Sequence, residues 1–404
     1  MTGPDPETNC AGAPRIGPRT NLGHSVLDCA AMTEKASILV HGATGFTGGL
    51  VCDLLAARGL PFAVSGRSLP RLDALRDRIA KRGAAAPVEV CVVDLAREET
   101  LREAITGRKI VLACAGPFIE VGEPVVAVCS ALGVHYVDTT GEQRFVADVA
   151  LGYHSRAVES GACIVPAMAF EIAPSDWVCH LAAERVGGAP DTIDVFYANR
   201  GAKDAGVAAT TRGTKKSMLL VMADRAPLQF VDGSLVIEAA AAKTTSFALP
   251  NGRRLTAVSF PSPEAIVVPK HTGARTVRTY MAMGDAAVRR LHRFRRFLPA
   301  LVRATRGLSD RFVALTAEGP DGAMRAESTF TIIAEATKGG ERSRVALTGH
   351  DPYGLTAELQ VYAAERAIAG AIRATGVVGP SVAFAPREAI AALAHTGLSL
   401  IEPA

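Results

Sequence analysis

Gly42, Gly45 and Gly48 recur at intervals of three in the stretch His41-Gly42-Ala43-Thr44-Gly45-Phe46-Thr47-Gly48. Glycines so spaced bare backbone N–H groups, because no Cβ stands between the chain and an approaching ligand. The chemistry that such a loop serves is the holding of a pyrophosphate, with Thr44, Phe46 and Thr47 as further contacts. The loop needs a strand to enter it and a helix to leave it. Ile38-Leu39-Val40 is a short apolar run directly before it, and Gly49-Leu50-Val51-Cys52-Asp53-Leu54-Leu55 after it reads as the first turns of a helix. In that setting Gly42 permits the turn, Gly45 lets the backbone approach phosphates and Gly48 lets helix and strand pack closely. A bare glycine pattern is common, so its meaning rests on the residues at the next strand ends.

The second predicted strand, Leu60–Ser65, ends in Ser65-Gly66-Arg67-Ser68. A dinucleotide site for NAD places an acid here to hold the adenosine ribose hydroxyls. This chain has none. Arg67 stands 19 residues past Gly48, flanked by the hydroxyls of Ser65 and Ser68. A guanidinium fork with hydroxyl donors suits a 2′-phosphate, which points to NADP; the plain alternative is a solvated arginine in a loop. Asp94 closes the strand Val88–Val93 and is placed either to touch the adenine edge or to form an ordinary turn. Ala115-Gly116-Pro117 makes a further turn after the strand Lys109–Cys114.

These residues fall where a doubly wound sheet puts its ligands, at the carboxyl ends of strands. Apolar strands alternate with helical segments of about a dozen residues up to Val165, a rhythm that implies parallel pairing with right-handed crossovers. From about residue 190 the rhythm changes to runs of strands: Ile193–Ala198, Leu228–Ile237, Leu255–Phe260, Arg275–Met281, Ser328–Ala336 and Arg344–Gly349. The expected fold is α/β: an N-terminal Rossmann doubly wound parallel sheet, an inserted α+β mixed-sheet domain, and C-terminal helices returning to the first domain. The expected boundaries are a disordered tail over 1–35, the Rossmann domain over 36–188, the α+β substrate or dimerisation domain over 189–351, and the C-terminal helices over 352–404. Met32-Thr33-Glu34-Lys35 is the more natural start of the globular chain.

Composition bounds the remaining possibilities. The 404 residues are 49% hydrophobic, 21% charged and 5% aromatic, enough for two domains with sizeable cores. No apolar run of about 18 residues predicts a membrane-spanning helix. The first 31 residues lack the apolar stretch of a secretion signal, so a reduced cytoplasmic setting is expected, with its eight cysteines as small buried hydrophobes. The histidines show no metal-ligand spacing, and no metal is assigned. Net charge is +4, yet residues 286–306 hold seven arginines and no acid. The excess is one segment rather than a nucleic-acid surface. Leu291, Phe294, Leu298 and Leu301 form an apolar stripe there, with Arg289, Arg293, Arg296 and Arg303 on other faces and Pro299 kinking or splitting the helix. It is a solvated cationic face or a dock for an acidic partner: a carrier protein, the phosphates of a CoA thioester, or an anionic membrane surface with the protein peripheral to it.

Several motifs occur together in order: the glycine loop, Ser65-Gly66-Arg67-Ser68, Ala115-Gly116-Pro117-Phe118, Tyr136-Val137-Asp138-Thr139-Thr140-Gly141-Glu142, Glu171-Ile172-Ala173-Pro174-Ser175-Asp176 and Asp351-Pro352-Tyr353-Gly354-Leu355-Thr356-Ala357. The set resembles the saccharopine dehydrogenase-like oxidoreductases, in particular the branch that includes trans-acting enoyl reductases of lipid and polyketide pathways. The resemblance spans most of residues 36–404 and is looser from about 190 to 340. It implies NADP binding, a Rossmann domain, and a second domain that closes over the nicotinamide and often makes a homodimer. Family members commonly carry Gly-Phe-Asp where this chain has Ala169-Phe170-Glu171, which moves the carboxylate by one methylene.

Hydride transfer asks the protein to hold a nicotinamide face against an electrophilic carbon, helped by a proton donor or oxyanion partner. Tyr136 and Asp138 lie two apart on a strand and so face one side; Tyr136 is a candidate donor, with Asp138 or Glu142 orienting it. The structural alternative is a core tyrosine with a satisfied hydroxyl and an aspartate that caps the turn. Glu171 and Ser175 are candidate substrate contacts, although Ser175 taken alone is better explained as a helix N-cap. His350-Asp351 is an acid/base pair on paper, although a turn predicts the same residues. The favoured reaction is reduction of a C=C bond of an enoyl thioester or other acyl-thioester substrate. The alternatives are an amino-acid or imine dehydrogenase, in which Lys203, Arg212, Lys215 and Lys216 would bind carboxylates, and a non-catalytic NADP(H) sensor.

Overall fold

The computed structural model describes residues 35–83, 88–200, 210–224, 226–294 and 297–402. The tail expected over residues 1–35 lies, but for Lys35, outside the described residues, as do Lys203 and Arg296. The first half alternates as its sequence rhythm predicts: β1 (Ile38–His41), α1 (Phe46–Ala57), β2 (Phe62–Gly66), α2 (Leu69–Lys81), β3 (Glu89–Val92), α3 (Glu98–Ile105), β4 (Ile110–Ala113), α4 (Phe118–Val121), α5 (Glu123–Leu132), β5 (His135–Asp138), α6 (Gln143–Ser160) and β6 (Cys163–Val165). All residues of β1 and β4 are buried. Near-continuous apolar runs are what the interior strands of a parallel sheet require, since helices cover both faces. On α2, Leu72, Leu75 and Ile79 share one face and are its buried residues, a period of about 3.6 that sets helix against sheet.

After β6 comes α7 (Ile172–Arg185), buried continuously from Ile172 to Cys179. The chain then forms β7 (Thr192–Arg200), α8 (Arg212–Ala223), β8 (Leu228–Val231), β9 (Ser234–Ile237), β10 (Thr244–Ala248), β11 (Arg254–Ser259), α9 (Glu264–Thr272) and β12 (Thr276–Ala282). Four short helices follow: α10 (Asp285–Phe294), α11 (Leu298–Ala304), α12 (Arg306–Leu315) and α13 (Gly322–Glu327). The remainder is β13 (Thr329–Lys338), β14 (Glu341–His350), α14 (Pro352–Ile368), β15 (Gly376–Val377), α15 (Pro380–Ala383), α16 (Pro386–Ala392) and β16 (Ser399–Ile401).

Two sheets result. The seven-stranded one has the order β15-β6-β5-β4-β1-β2-β3, and all its ladders are parallel. The nine-stranded one runs β10-β11-β12-β7-β13-β14-β16, with β8 pairing β12 and β9. It is mixed, because β12 and β7 are parallel while its other ladders are antiparallel. The fold is therefore α/β, a Rossmann-type sheet joined to a second, mixed sheet. One apolar core runs through both, from Ile38 and Leu112 through Trp177 to Val195, Leu347 and Leu359. The buried helix α7 lies under β13 and β14, and α14 packs on α1, β4 and β5.

Two local expectations are corrected. The run Leu228–Ile237 is not one strand but the hairpin β8–β9. Asp232 and Gly233 turn it with φ of 47° and 81°, and an Asp-Gly pair is the residue choice that a tight hairpin favours. In the arginine segment Pro299 falls in the first turn of α11, after α10 has ended. Among its described side chains Val288 and Val302 are buried, whereas Phe294 and Leu301 of the expected apolar stripe are 54% and 59% exposed, and the side chain of Leu298 lies outside those described. Among the described residues no helix is long and apolar enough to cross a membrane.

Candidate cofactor and substrate site

The glycine loop sits between β1 and α1 against the turn that follows β4. Gly42 has φ +77°, and a Cβ there would lie 2.7 Å from the Cβ of Ala115. At Gly48 a Cβ would lie 2.4 Å from the Gly42 carbonyl oxygen. Both positions are thus closed to any larger residue, and the helix start is pressed onto the loop. Gly45 is exposed and N-caps α1, whose first turn has neither a side-chain cap nor an acid. Such a start leaves N–H donors and the positive helix end facing outward, which fits an anion. A pyrophosphate is the group this cradle suits, with Thr44, Phe46 and Thr47 around it.

Arg67 is exposed just past β2, and no side-chain partner holds it among the described residues. A second guanidinium, unforeseen in the sequence, lies beside it: Arg71 Nη2 donates to the Thr44 carbonyl at 3.0 Å. The signal was its place in the first turn of α2, whose N-cap is Ser68. Ser68 makes no capping bond, so its hydroxyl is available to a ligand. Ser65 is buried instead and bonds His41 Nδ1 at 3.0 Å; its carbonyl accepts the Gly42 N–H at 2.9 Å. It shapes the loop from beneath. Asp94 accepts the Ala96 N–H at 3.0 Å, the ordinary turn geometry. Ala115 lies against Gly42, and Gly116-Pro117 is a cis peptide.

Tyr136 and Asp138 meet, but deep inside. The Tyr136 hydroxyl donates to Asp138 Oδ2 at 2.8 Å, while Asp138 Oδ1 accepts the N–H groups of Thr140 and Ala167 at 2.9 and 2.8 Å. Both side chains are fully buried. Burial pushes the Asp138 carboxyl up to about 7 and the Tyr136 phenol well above its ordinary value. The pair fastens β5 to the turn after β6. Glu142 is also buried and caps α4, taking the N–H groups of Phe118 and Ile119 at 3.0 and 2.8 Å. It holds Ser217 of α8 at 2.6 Å as well.

Ser175 does not cap α7; Glu171 occupies that position, and Ser175 lies in the first turn. Its buried hydroxyl is 2.6 Å from Glu264 Oε1, and Tyr197 and Ser262 also donate to that carboxylate. Burial lifts Glu264 to about 8. Glu171 is half-buried with φ 78° and ψ −64°, a conformation that costs of order 1–3 kcal/mol and concentrates at functional sites. Its Oε1 accepts from Asn199 Nδ2 at 3.2 Å, and burial raises its carboxyl to about 7.

Tyr353 joins the two domains at this place. Its ring meets that of Phe46 edge-on, with centroids 5.4 Å apart. Its hydroxyl accepts the Thr211 N–H at 2.9 Å and bonds Thr214 Oγ1 at 3.1 Å, at the start of α8. Its neighbour Asp351 caps α14 and pairs with Arg325 at 3.3 Å. The expected cations of α8 are engaged: Arg212 Nε donates to the Thr316 carbonyl at 2.6 Å, and Lys215 to the Thr316 hydroxyl at 3.2 Å. Lys216 instead lines a cavity of ≈320 Å³ that begins at Pro117 and Glu142. Ile119, Leu219, Leu220 and Val302 supply its apolar wall, and Glu120, Arg144, Asp224, Arg303 and Arg306 also line it.

Residues 38–165 match the family model of the saccharopine dehydrogenase NADP binding domain. A trans-acting enoyl reductase of Mycobacterium ulcerans is 38% identical over 149 residues, which is 36% of this chain and 35% of that protein. A putative trans-acting enoyl reductase of Mycobacterium tuberculosis is 33% identical over 196 residues, 48% of this chain and 45% of that one. A saccharopine dehydrogenase-like oxidoreductase of Homo sapiens is 30% identical over 171 residues, 39% and 40% of the two. The chain thus spans less than half the length of these curated relatives.

Proposed function

We propose that this chain, whose residues 38–165 match the saccharopine dehydrogenase NADP binding domain, reduces the C=C bond of an enoyl thioester. The observation that carries this reading is the continuity of two unlike surfaces. Pro117 belongs to the turn behind the glycine loop, and it also lines the apolar cavity between the first domain and α8 and α11. Gly42–Gly48, Arg67, Ser68 and Arg71 would hold NADPH, which would supply the hydride when bound. The apolar wall then excludes water and takes an acyl chain beside the transferring face.

Glu171 is the residue we assign as proton source. It stays protonated up to about 7, and the proton it releases would go to the carbon next to the thioester carbonyl. Tyr136 and Asp138 position the end of β5, and Glu142 fixes α4 and Ser217 at the cavity mouth. The names of the mycobacterial relatives, trans-acting enoyl reductases, support an enoyl substrate. In our reading the cationic segment from Arg289 to Arg306 is where an anionic partner approaches, and the second sheet is where a homodimer would form. An imine or amino-acid substrate would find Lys216 and Arg144 at the cavity, while Arg212 and Lys215 are bonded to Thr316; the apolar wall is what favours the acyl chain.

The test is to follow NADPH oxidation with a panel of enoyl thioesters and, separately, with saccharopine-type imines. Turnover with imines alone would replace the reading; tight NADPH binding with neither turned over would favour a sensor. With an enoyl thioester the rate should fall as pH rises through about 7, since Glu171 loses its proton there. Glu171→Gln should lower kcat roughly 10²–10⁴-fold and remove that pH limb. A limb unchanged in the variant excludes Glu171 as the donor.

A further inference from the structure

The helices α10–α12 stand out as the place where large apolar side chains face water in series. Phe294 and Phe297 are 54% and 70% exposed, Leu301 59%, Leu308 72%, Phe312 69% and Leu315 86%. On α12 the last three recur at i, i+4 and i+7, one stripe of the helix, while Val313 between them is buried. The stripe is therefore not a misplaced core face: the helix has a small inward contact and a broad apolar outward one. Exposed apolar side chains scattered singly need no explanation, but a contiguous series marks a contact surface.

Charge narrows what that contact is. Residues 286–315 contain eight arginines and a single acid, Asp310. Arg289, Arg290, Arg293 and Arg311 are exposed and carry no side-chain partner among the described residues. Unpaired guanidinium groups beside outward phenylalanines and leucines are the composition of a helix that lies in a bilayer interface. Its arginines meet lipid phosphates, and its apolar residues enter the acyl boundary. An acidic carrier protein would satisfy the arginines, but the series of outward phenylalanines and leucines on short helices has the make-up of an acyl-boundary contact. Helices of seven to ten residues cannot span a bilayer, so the contact lies along the surface.

We propose that α10–α12 form a docking face for an anionic lipid surface. The face adjoins the apolar cavity, because Val302 of α11 is part of the cavity wall; its binding to lipid does not depend on which reaction the chain catalyses. The experiment is co-sedimentation of the full chain with vesicles of phosphatidylglycerol and phosphatidylcholine, against vesicles of phosphatidylcholine alone. Binding to the anionic vesicles should be at least tenfold stronger, weaken with added salt, and resist an excess of inorganic phosphate. The triple variant Leu308→Ser, Phe312→Ser, Leu315→Ser should lose at least tenfold while keeping the melting temperature and NADPH affinity of the parent. Arg289→Gln with Arg311→Gln should reduce binding and flatten its salt dependence. The proposal is overturned if the parent chain ignores the anionic vesicles or the triple variant binds them as well as the parent. It is equally overturned if an acidic acyl carrier protein, and not the vesicles, is what the face retains.

Discussion

Arg67 and Arg71 differ in what holds them. Arg71 is fixed by the Thr44 carbonyl at 3.0 Å, so it braces the loop as well as adding charge, whereas Arg67 is free to close on a ligand. Replacing Arg67 by Asp should weaken NADPH binding roughly ten- to hundredfold and leave NADH little changed, as expected for charged hydrogen bonds to a 2′-phosphate. Fluorescence titration with both nucleotides measures the ratio; an unaltered ratio removes Arg67 from that role. Arg71→Ala should weaken both nucleotides, because the loop itself loosens. Tyr136→Phe tests the buried pair. It strips one donor from a fully buried carboxylate, which costs about 1–3 kcal/mol of stability, and it should leave NADPH affinity intact. A drop in kcat of a hundredfold or more without that destabilisation would return Tyr136 to the chemistry.

At the scale of elements, the site depends on how tightly α1 is seated. A side chain at Gly48 meets the Gly42 carbonyl at 2.4 Å and Ala43 Cα at 2.9 Å, and neither backbone group can move without displacing β1 or its loop. Gly48→Val should therefore abolish measurable NADPH binding and lower stability by about 1–3 kcal/mol, the range of overpacking. Urea unfolding and nucleotide titration on one sample separate the two effects. Retained binding would mean that α1 can slide along the sheet. This much was legible in the sequence, since strand, glycines and helix are neighbours in the chain. The pair Phe46–Tyr353 was not, because 307 residues separate its members and nothing local in either sets their contact.

For the molecule as a whole, a buried cluster ties the helices behind the site. His271 of α9 meets Asp176 of α7 at 2.6 Å, and Ser381 of α15 donates its hydroxyl and its N–H to the other oxygen at 2.6 and 2.7 Å. Despite the burial that opposes both charges, the pair raises His271 above 6.5 and lowers Asp176 below 3.8. The histidine's contribution is complete below its unfolded value near 6.5 and fades as pH rises through the higher folded one; the aspartate's holds above 3.8 and fades as pH falls through the lower one. His271→Ala should cost about 3–5 kcal/mol at pH 6, as breaking a buried pair does, and less at alkaline pH. A stability loss that does not vary with pH would make the contact one of packing only. By itself the sequence determined the strand, glycine turn and helix start, the arginine at the end of β2 and the parallel first sheet, because each rests on neighbouring residues and local period. Only the tertiary structure decided that Tyr136 and Asp138 are enclosed, that Pro117, Leu219 and Val302 share one cavity, and that Phe294, Leu301, Leu308, Phe312 and Leu315 of α10–α12 face outward. Helical period separates two faces of a helix, but which one is buried is settled by the segments that come to lie against it.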